Sequence, residues 1–238
     1  MARRQNRMGT KGSFSGCTVS MTECKCFNTL TPEEKNLVEA NSVLVDYRKG
    51  EVICKRGSLA THIMFLETGL AKVFLDDGQN TLVLKILPEK SLIGLATISD
   101  DVNTFEYSVM AYMDSEVRQI DLGVFKKLLM SNALFAKEVI EILSANSIQI
   151  YSRFFCLTHK QSFGRLADII LCLSDRVFKS EEFDLPLSRR DLAELSGLSA
   201  ETVIRMLKKF RDEGLVGLDG KRLKVIDYSR LRMISENG

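Results

Sequence analysis

The sequence predicts an α+β chain: a β-sandwich or β-roll first, a long helix in the middle, and a winged helix-turn-helix at the end. Three observations predict it. Seven short β-type runs crowd between Ser42 and Ile120, punctuated by glycine turns. Near Leu122 the apolar period changes to a helical one, and one such pattern persists from residue 133 to residue 157. Residues 188–226 then set two capped helices about a Gly turn, followed by a hairpin.

Composition agrees with a globular chain. The 238 residues are 45% hydrophobic and 27% charged, which excludes a disordered or fibrous protein. That length suits one large domain or two smaller ones, and with only 3 Pro and 15 Gly no long structureless linker is expected. No apolar run approaches the roughly 18 residues of a membrane span. The start, Met-Ala-Arg-Arg-Gln-Asn-Arg, has no apolar core behind it, so it is read as no secretory signal and a cytoplasmic location is expected.

Charge is unevenly spread. Residues 1–29 carry five basic side chains against Glu23, residues 30–156 carry 13 against 17 acidic, and residues 157–238 carry 15 against 13. A neutral-to-acidic middle with a basic tail fits a two-part protein whose end meets a polyanion; a chance imbalance is the alternative.

Taken in order, residues 1–26 are polar, basic and rich in Ser, Thr and Gly, and are expected to form a flexible arm. Thr31 caps a short helix that has Pro32 at its first position and Glu33–Glu34 in its first turn. Residues 27–122 make the β-rich domain, with strands expected at Val43–Tyr47, Glu51–Lys55, His62–Glu67, Leu70–Leu75, Thr81–Leu87, Tyr107–Tyr112 and Glu116–Ile120. Residues 123–157 hold a short helix (123–130) and a long one (133–157). In the long helix Ile140, Leu143, Ser147, Ile150, Phe154 and Leu157 step by alternating threes and fours, which is the spacing of a coiled-coil seam. A chain with one such helix finds the partner in a second copy of itself; packing against its own sheet is the alternative. Residues 158–238 begin with an amphipathic helix over Ser162–Asp175.

The most informative stretch is LSRRDLAELSGLSAETVIRMLKKFRDEGLV, residues 187–216. Ser188 with Asp191 approximates a capping box, and Leu192, Ala193 and Leu195 face a core. Ser196-Gly197-Leu198 makes a tight turn, and Ser199 caps the next helix. Val203, Leu207 and Phe210 seal that helix to the first, while Glu201, Arg205 and Lys208 show on the other side with Ile204 beside them. Such a second helix enters the DNA major groove. Leu215–Gly217, Asp219-Gly220 and Leu223–Ile226 read as the wing. Arg205 and Glu201, with Ile204, are the candidate base readers. Ser188, Arg189, Ser199, Lys208 and Lys209 are the candidate phosphate contacts. A generic helical pair with a charged face is the alternative.

From about residue 24 to the end the chain resembles the Crp/Fnr regulators, the group of the cyclic-AMP receptor protein and the oxygen-sensing fumarate-nitrate regulator. The resemblance rests on Lys49-Gly50-Glu51-Val52-Ile53 with Gly57, on Leu66-Glu67-Thr68-Gly69, on the long helix, on Gly164-Arg165-Leu166-Ala167, and on Glu201-Thr202-Val203-Ile204-Arg205. It implies a cyclic-nucleotide-binding-like β-roll sensor domain, a dimerisation helix and a winged helix-turn-helix, in a homodimeric transcription regulator. Its implied partners are double-stranded DNA, as a palindromic operator, and RNA polymerase, with no membrane involved. Ile204 stands where the cyclic-AMP type has Gly and the oxygen sensor Ser.

The residues of the roll bear on what it would sense. The resemblance implies a Gly-Glu and an Arg for a cyclic-nucleotide phosphate, since Arg pairs bidentately with phosphate. Here Gly94 precedes Leu95, no Arg lies between Arg56 and Arg118, and the expected region offers Phe105 and Glu106. Cyclic-nucleotide binding in the family's manner is therefore not expected. The oxygen sensor's iron–sulfur cluster has thiolate ligands. Cys17, Cys24 and Cys26 lie in the matching arm, but spaced C-x6-C-x-C, with Arg118 where the resemblance implies a fourth Cys. They are the candidate metal ligands; the alternatives are a thiol redox role or incidental thiols in a loose arm. Cys54 and Cys172 are expected to be buried small hydrophobes. Haem would have only His62 and His159. Gly94, Phe105, Tyr107 and Met110 are the candidate effector pocket, against the plainer reading that they are core. No cofactor is favoured. A sensor or scaffold whose helix-turn-helix has lost DNA binding is the rival function, and no nucleophile–base pair or phosphate loop points to an enzyme.

Overall fold

The computed structural model describes Val19 and residues 23–78 and 81–238; Cys17 and most of the N-terminal arm lie outside the described residues. A 3₁₀ turn at Cys26–Thr29 leads into α1 (Pro32–Ala40). Thr31 caps α1: its hydroxyl accepts from the Glu34 N–H, and the Glu34 carboxylate accepts from the Thr31 N–H.

Eight strands follow: β1 (Ser42–Tyr47), β2 (Val52–Cys54), β3 (His62–Thr68), β4 (Leu70–Asp76), β5 (Thr81–Pro88), β6 (Ser91–Ile93), β7 (Ser108–Ala111) and β8 (Ser115–Asp121). They form two four-stranded antiparallel sheets, ordered β1-β8-β3-β6 and β2-β7-β4-β5. The seven expected strands are all present. The three-residue β6 was not expected, because Ser91, Leu92 and Ile93 are all buried and show no alternation.

Alternation sorts side chains between the two faces of each sheet. Met64 and Leu66 of β3, with Ala71 and Val73 of β4, point into the core between the sheets, alongside Phe105, Val109 and Val117. Ile63 and Phe65 point the other way, onto Val38, Phe125, Leu128, Phe135 and Val139. Leu70 and Phe74, on the outer side of β4, face the C-terminal domain.

Two helices leave the roll: α2 (Leu122–Ser131), capped by Asp121, and α3 (Ala133–His159), capped by Asn132. The α3 residues Phe135, Val139, Ile142, Gln149, Arg153 and Cys156 are buried. The α4 helix (Ser162–Cys172) ends in a π-helical turn, Leu173–Phe178, so the regular helix is shorter than the sequence suggested. Then come β9 (Glu182–Asp184), α5 (Arg189–Ser196), α6 (Ala200–Asp212), β10 (Val216–Asp219), β11 (Arg222–Val225) and α7 (Tyr228–Asn237). The strands β10, β11 and β9 form a third antiparallel sheet. Gly164 of α4 meets the backbone of Gly238, leaving no room for a Cβ.

The expected looseness of the arm does not extend to its end. Val19 bridges to Ile86 and is buried. Cys24 and Cys26 are buried against the roll and α3, and the Cys24 N–H donates to the Lys90 carbonyl.

Candidate nucleic-acid interface

The reading unit is built from the caps outward. Ser188 accepts from the Asp191 N–H at 3.1 Å while Asp191 accepts from the Ser188 N–H at 2.7 Å, closing a capping box on α5. Gly197 takes φ +62°, a left-handed conformation that glycine adopts without strain, and ends the helix. Two residues on, Ser199 accepts from the Thr202 N–H at 3.2 Å and starts α6.

On α6, Val203, Met206, Leu207 and Phe210 are buried against Leu192 and Leu195. Met206 belongs to this seal although the sequence reading left it out. The opposite face shows Glu201, Ile204, Arg205 and Lys208, all exposed. Arg205 and Lys208 have no ion-pair partner among the described residues. The Glu201 carboxylate is held below the usual range, chiefly by a hydrogen bond from its own N–H at the helix start and next by one from Ser199. It is therefore ionised at neutral pH and purely a hydrogen-bond acceptor.

The phosphate candidates divide. Ser188 and Arg189 lie at the start of α5, and Ser199 at the start of α6, where free N–H groups and the helix dipole favour anions. Lys208 is free to reach out. Lys209 is turned away: its ammonium lies 4.8 Å from the centre of the Phe163 ring and 3.8 Å from Glu213. The wing turns at Gly220, φ +56°, and carries the exposed Lys221 at its tip. Sequence reasoning missed Lys221, although Asp-Gly-Lys at a hairpin tip was visible. Arg222 and Lys224 are instead tied to Glu182, Lys224 at 3.3 Å.

The α3 seam lies open on this chain. Ile140, Leu143, Ser147, Ile150 and Phe154 are exposed, Phe154 at 69%, and Leu157 is half-buried. They lie away from the face that packs on the roll, so the seam does not serve the chain's own sheet. Ile148, Tyr151 and Phe155 widen the exposed apolar face.

In the roll, Gly94, Phe105 and Tyr107 do meet. The Gly94 N–H donates to the Tyr107 hydroxyl at 3.0 Å, and the Phe105 ring would lie 3.2 Å from any Cβ on Gly94. Phe105 and Tyr107 are thus packed onto Gly94. Met110 does not join them: it lies on the outer face of its sheet, against the C-terminal domain. A cavity of about 420 Å³ opens elsewhere, between the Cys24–Leu30 segment, α1 and Arg118.

The thiols also divide. Cys24 and Cys26 lie 2.8 Å apart, Sγ to Sγ. Cys54 belongs to the core between the sheets, where burial pushes its thiol up to about 12, and Cys156 lies beside Asp168. Cys172 is buried as expected, but it is disulfide-bonded rather than a plain apolar filler. Arg118 is paired with Glu67 at 2.7 Å. Among the described residues no group of three His, Cys, Asp or Glu side chains is placed to hold a metal. The described thiols therefore do not assemble the four-thiolate set of a cluster. The two histidines are separate and locally engaged, His62 with Thr61 and His159 stacked on Phe155.

A capped helix pair with a wing, packed on a β-roll and joined to it by a long helix, defines a winged helix-turn-helix protein of the DNA-binding type. Comparison with known proteins narrows the class. Residues 44–132 match the cyclic nucleotide-binding domain family and residues 164–234 match the Crp-like helix-turn-helix domain family. The transcriptional activator protein FnrA of Stutzerimonas stutzeri is 24% identical over 186 residues, covering 76% of this chain and 75% of that protein. Electron transport regulator A of Shewanella oneidensis is 22% identical, covering 100% and 98%. Among solved structures, FixK2 from Bradyrhizobium japonicum superposes with a TM-score of 0.74 at 20% identity, covering 81% of this chain and 96% of that one. The c-di-GMP responsive regulator CLP of Xanthomonas campestris gives 0.70 at 18%, covering 83% and 100%. The chain belongs to the Crp/Fnr family. It is a Crp/Fnr-type transcription regulator with a helix-turn-helix DNA-binding domain.

Proposed function

We propose that the chain works as a homodimer that reads a palindromic operator through Glu201 and Arg205 and answers to an input other than a cyclic nucleotide. One observation carries the reading role. Glu201, Ile204, Arg205 and Lys208 occupy the exposed face of a helix whose opposite face is fully buried, and both helix starts are locked by caps. Arg205 suits guanine O6 and N7, and the ionised Glu201 accepts from cytosine N4. Ser188, Arg189, Ser199, Lys208 and Lys221 hold phosphates. The dimer is supported by the open 3-4 seam of α3. A two-fold dimer places half-sites about one helical turn, ~34 Å, apart. The protein partner is RNA polymerase and the compartment the cytoplasm, as in a regulator that acts on transcription. No catalytic activity is proposed.

The packing of Phe105 and Tyr107 onto Gly94 and the lack of an Arg between Arg56 and Arg118 support the non-nucleotide input. The test is twofold. Gel shifts with genomic fragments at moderate salt should show sequence-selective retardation, and its absence would favour a scaffold that has lost DNA binding. Calorimetry with cyclic AMP should show no binding at micromolar concentration; micromolar binding would overturn that part.

A further inference from the structure

Ile204 is an oddity on the reading face. It is 54% exposed, and its near neighbours on that face, Glu201, Arg205 and Lys208, are all charged. At about 100° per residue, Ile204 and Arg205 flank the line from Glu201 to Lys208 on opposite sides. Ile204 lies in the first half of α6, the part of such a helix that meets base edges. It contributes nothing to the seal against α5, which Val203, Met206, Leu207 and Phe210 make.

A branched aliphatic side chain cannot donate or accept a hydrogen bond. Pressed against a guanine, adenine or cytosine edge it would strip water from polar atoms and return nothing. The major groove offers one apolar group, the 5-methyl of thymine. We infer that Ile204 is a specificity-determining residue, whose side chain packs on the 5-methyl of one thymine in each half-site, beside the base pair read by Arg205. The inference rests on the DNA-reading role proposed above and adds to it the chemical identity of one base.

The experiment separates the two. A library of random double-stranded DNA is selected with the full-length protein, and the enriched duplex is synthesised with each half-site thymine replaced in turn by uracil, which removes only the methyl group. At one position uracil should weaken wild-type binding about fourfold per half-site, and about fifteenfold when both half-sites are changed. Ile204→Val should keep a measurable thymine preference at that position. Ile204→Ser should bind the thymine and uracil duplexes equally, while keeping the preference read by Arg205. A wild-type protein indifferent to uracil everywhere would overturn this inference and leave the DNA-reading role intact. So would an Ile204→Ser variant that keeps the full thymine preference. If no sequence is enriched at all, the reading role fails and this inference with it.

Discussion

At the scale of single residues, the sharpest contrast is between cations that are free and cations that are committed. Arg205 and Lys208 point to solvent, whereas Lys72 is 5% exposed. Its ammonium lies 2.6 Å from Glu194 and 4.0 Å from Asp191, between the Phe74 and Tyr112 rings. Lys72 sits on the roll and Glu194 on α5, so this pair joins the sensor domain to the reading unit. Removing one partner of a buried pair leaves an uncompensated charge and costs about 3–5 kcal/mol. Glu194→Leu should therefore lower stability by an amount of that order, less whatever Asp191 recovers. The double variant Lys72→Met, Glu194→Leu should sit close to wild type. Denaturant melts of the three proteins check this, and an additive double variant would show that the pair is not coupled. Lys85 makes a second test. Burial pushes its ammonium down to about 8, and it donates to Asn146 of α3 at 2.7 Å. Below pH 8 both folded and unfolded chains carry the proton. Between about 8 and the ordinary lysine value only the unfolded chain does, so stability from this group rises with pH across that window. Lys85→Met should remove the rise and gain roughly 1–3 kcal/mol at pH 7, one pKa unit being worth about 1.36 kcal/mol. A wild-type-minus-variant stability difference that is flat from pH 7 to 10 would contradict it.

At the scale of elements, α3 shows what a sequence exposes and what it hides. Its outward stripe was legible because apolar residues at alternating threes and fours stand out whatever they touch. Its inward face was not, because it includes Gln149 and Arg153. Arg153 is buried where the Val83 carbonyl, 70 residues away, and the Leu195 carbonyl, 42 residues away, accept from its guanidinium. No local pattern announces such partners. The helix-turn-helix was legible almost to the residue, since capping and the Gly197 turn are local chemistry. The strands β6 and β9 have three residues each and exist through their neighbours, so periodicity had nothing to register. Lys209 looked free by sequence and is held by Phe163, an aromatic from another helix. The open stripe also yields a prediction. Leu143→Glu with Ile150→Glu should give a folded monomer, because both side chains are exposed on the single chain and would bury unpaired charge only in a dimer. Sedimentation velocity reads the mass, and a dimer of unchanged affinity would place the interface elsewhere.

At the scale of the whole molecule, the β-roll and the helix-turn-helix domain pack against each other through a shared core. The core that holds α5 and α6 continues into Leu70, Phe74, Val83 and Ile86 of the roll. The Lys49 ammonium donates to the Pro186 carbonyl, and Arg153 bonds to carbonyls of both domains. Strands β4 and β5 of the roll thus touch α5 directly. As proposed above, the molecule presents Arg205 to bases and Lys208 to phosphates. The most direct measurement compares wild type, Arg205→Ala and Lys208→Ala on the selected operator and on a scrambled duplex, at two salt concentrations. Arg205→Ala should lose about 1–3 kcal/mol per half-site on the operator and little on the scrambled duplex. Lys208→Ala should weaken both alike and lower the salt dependence by about one ion per subunit. Equal loss on both duplexes for Arg205→Ala would make Arg205 a phosphate contact and contradict the assignment of the reading face.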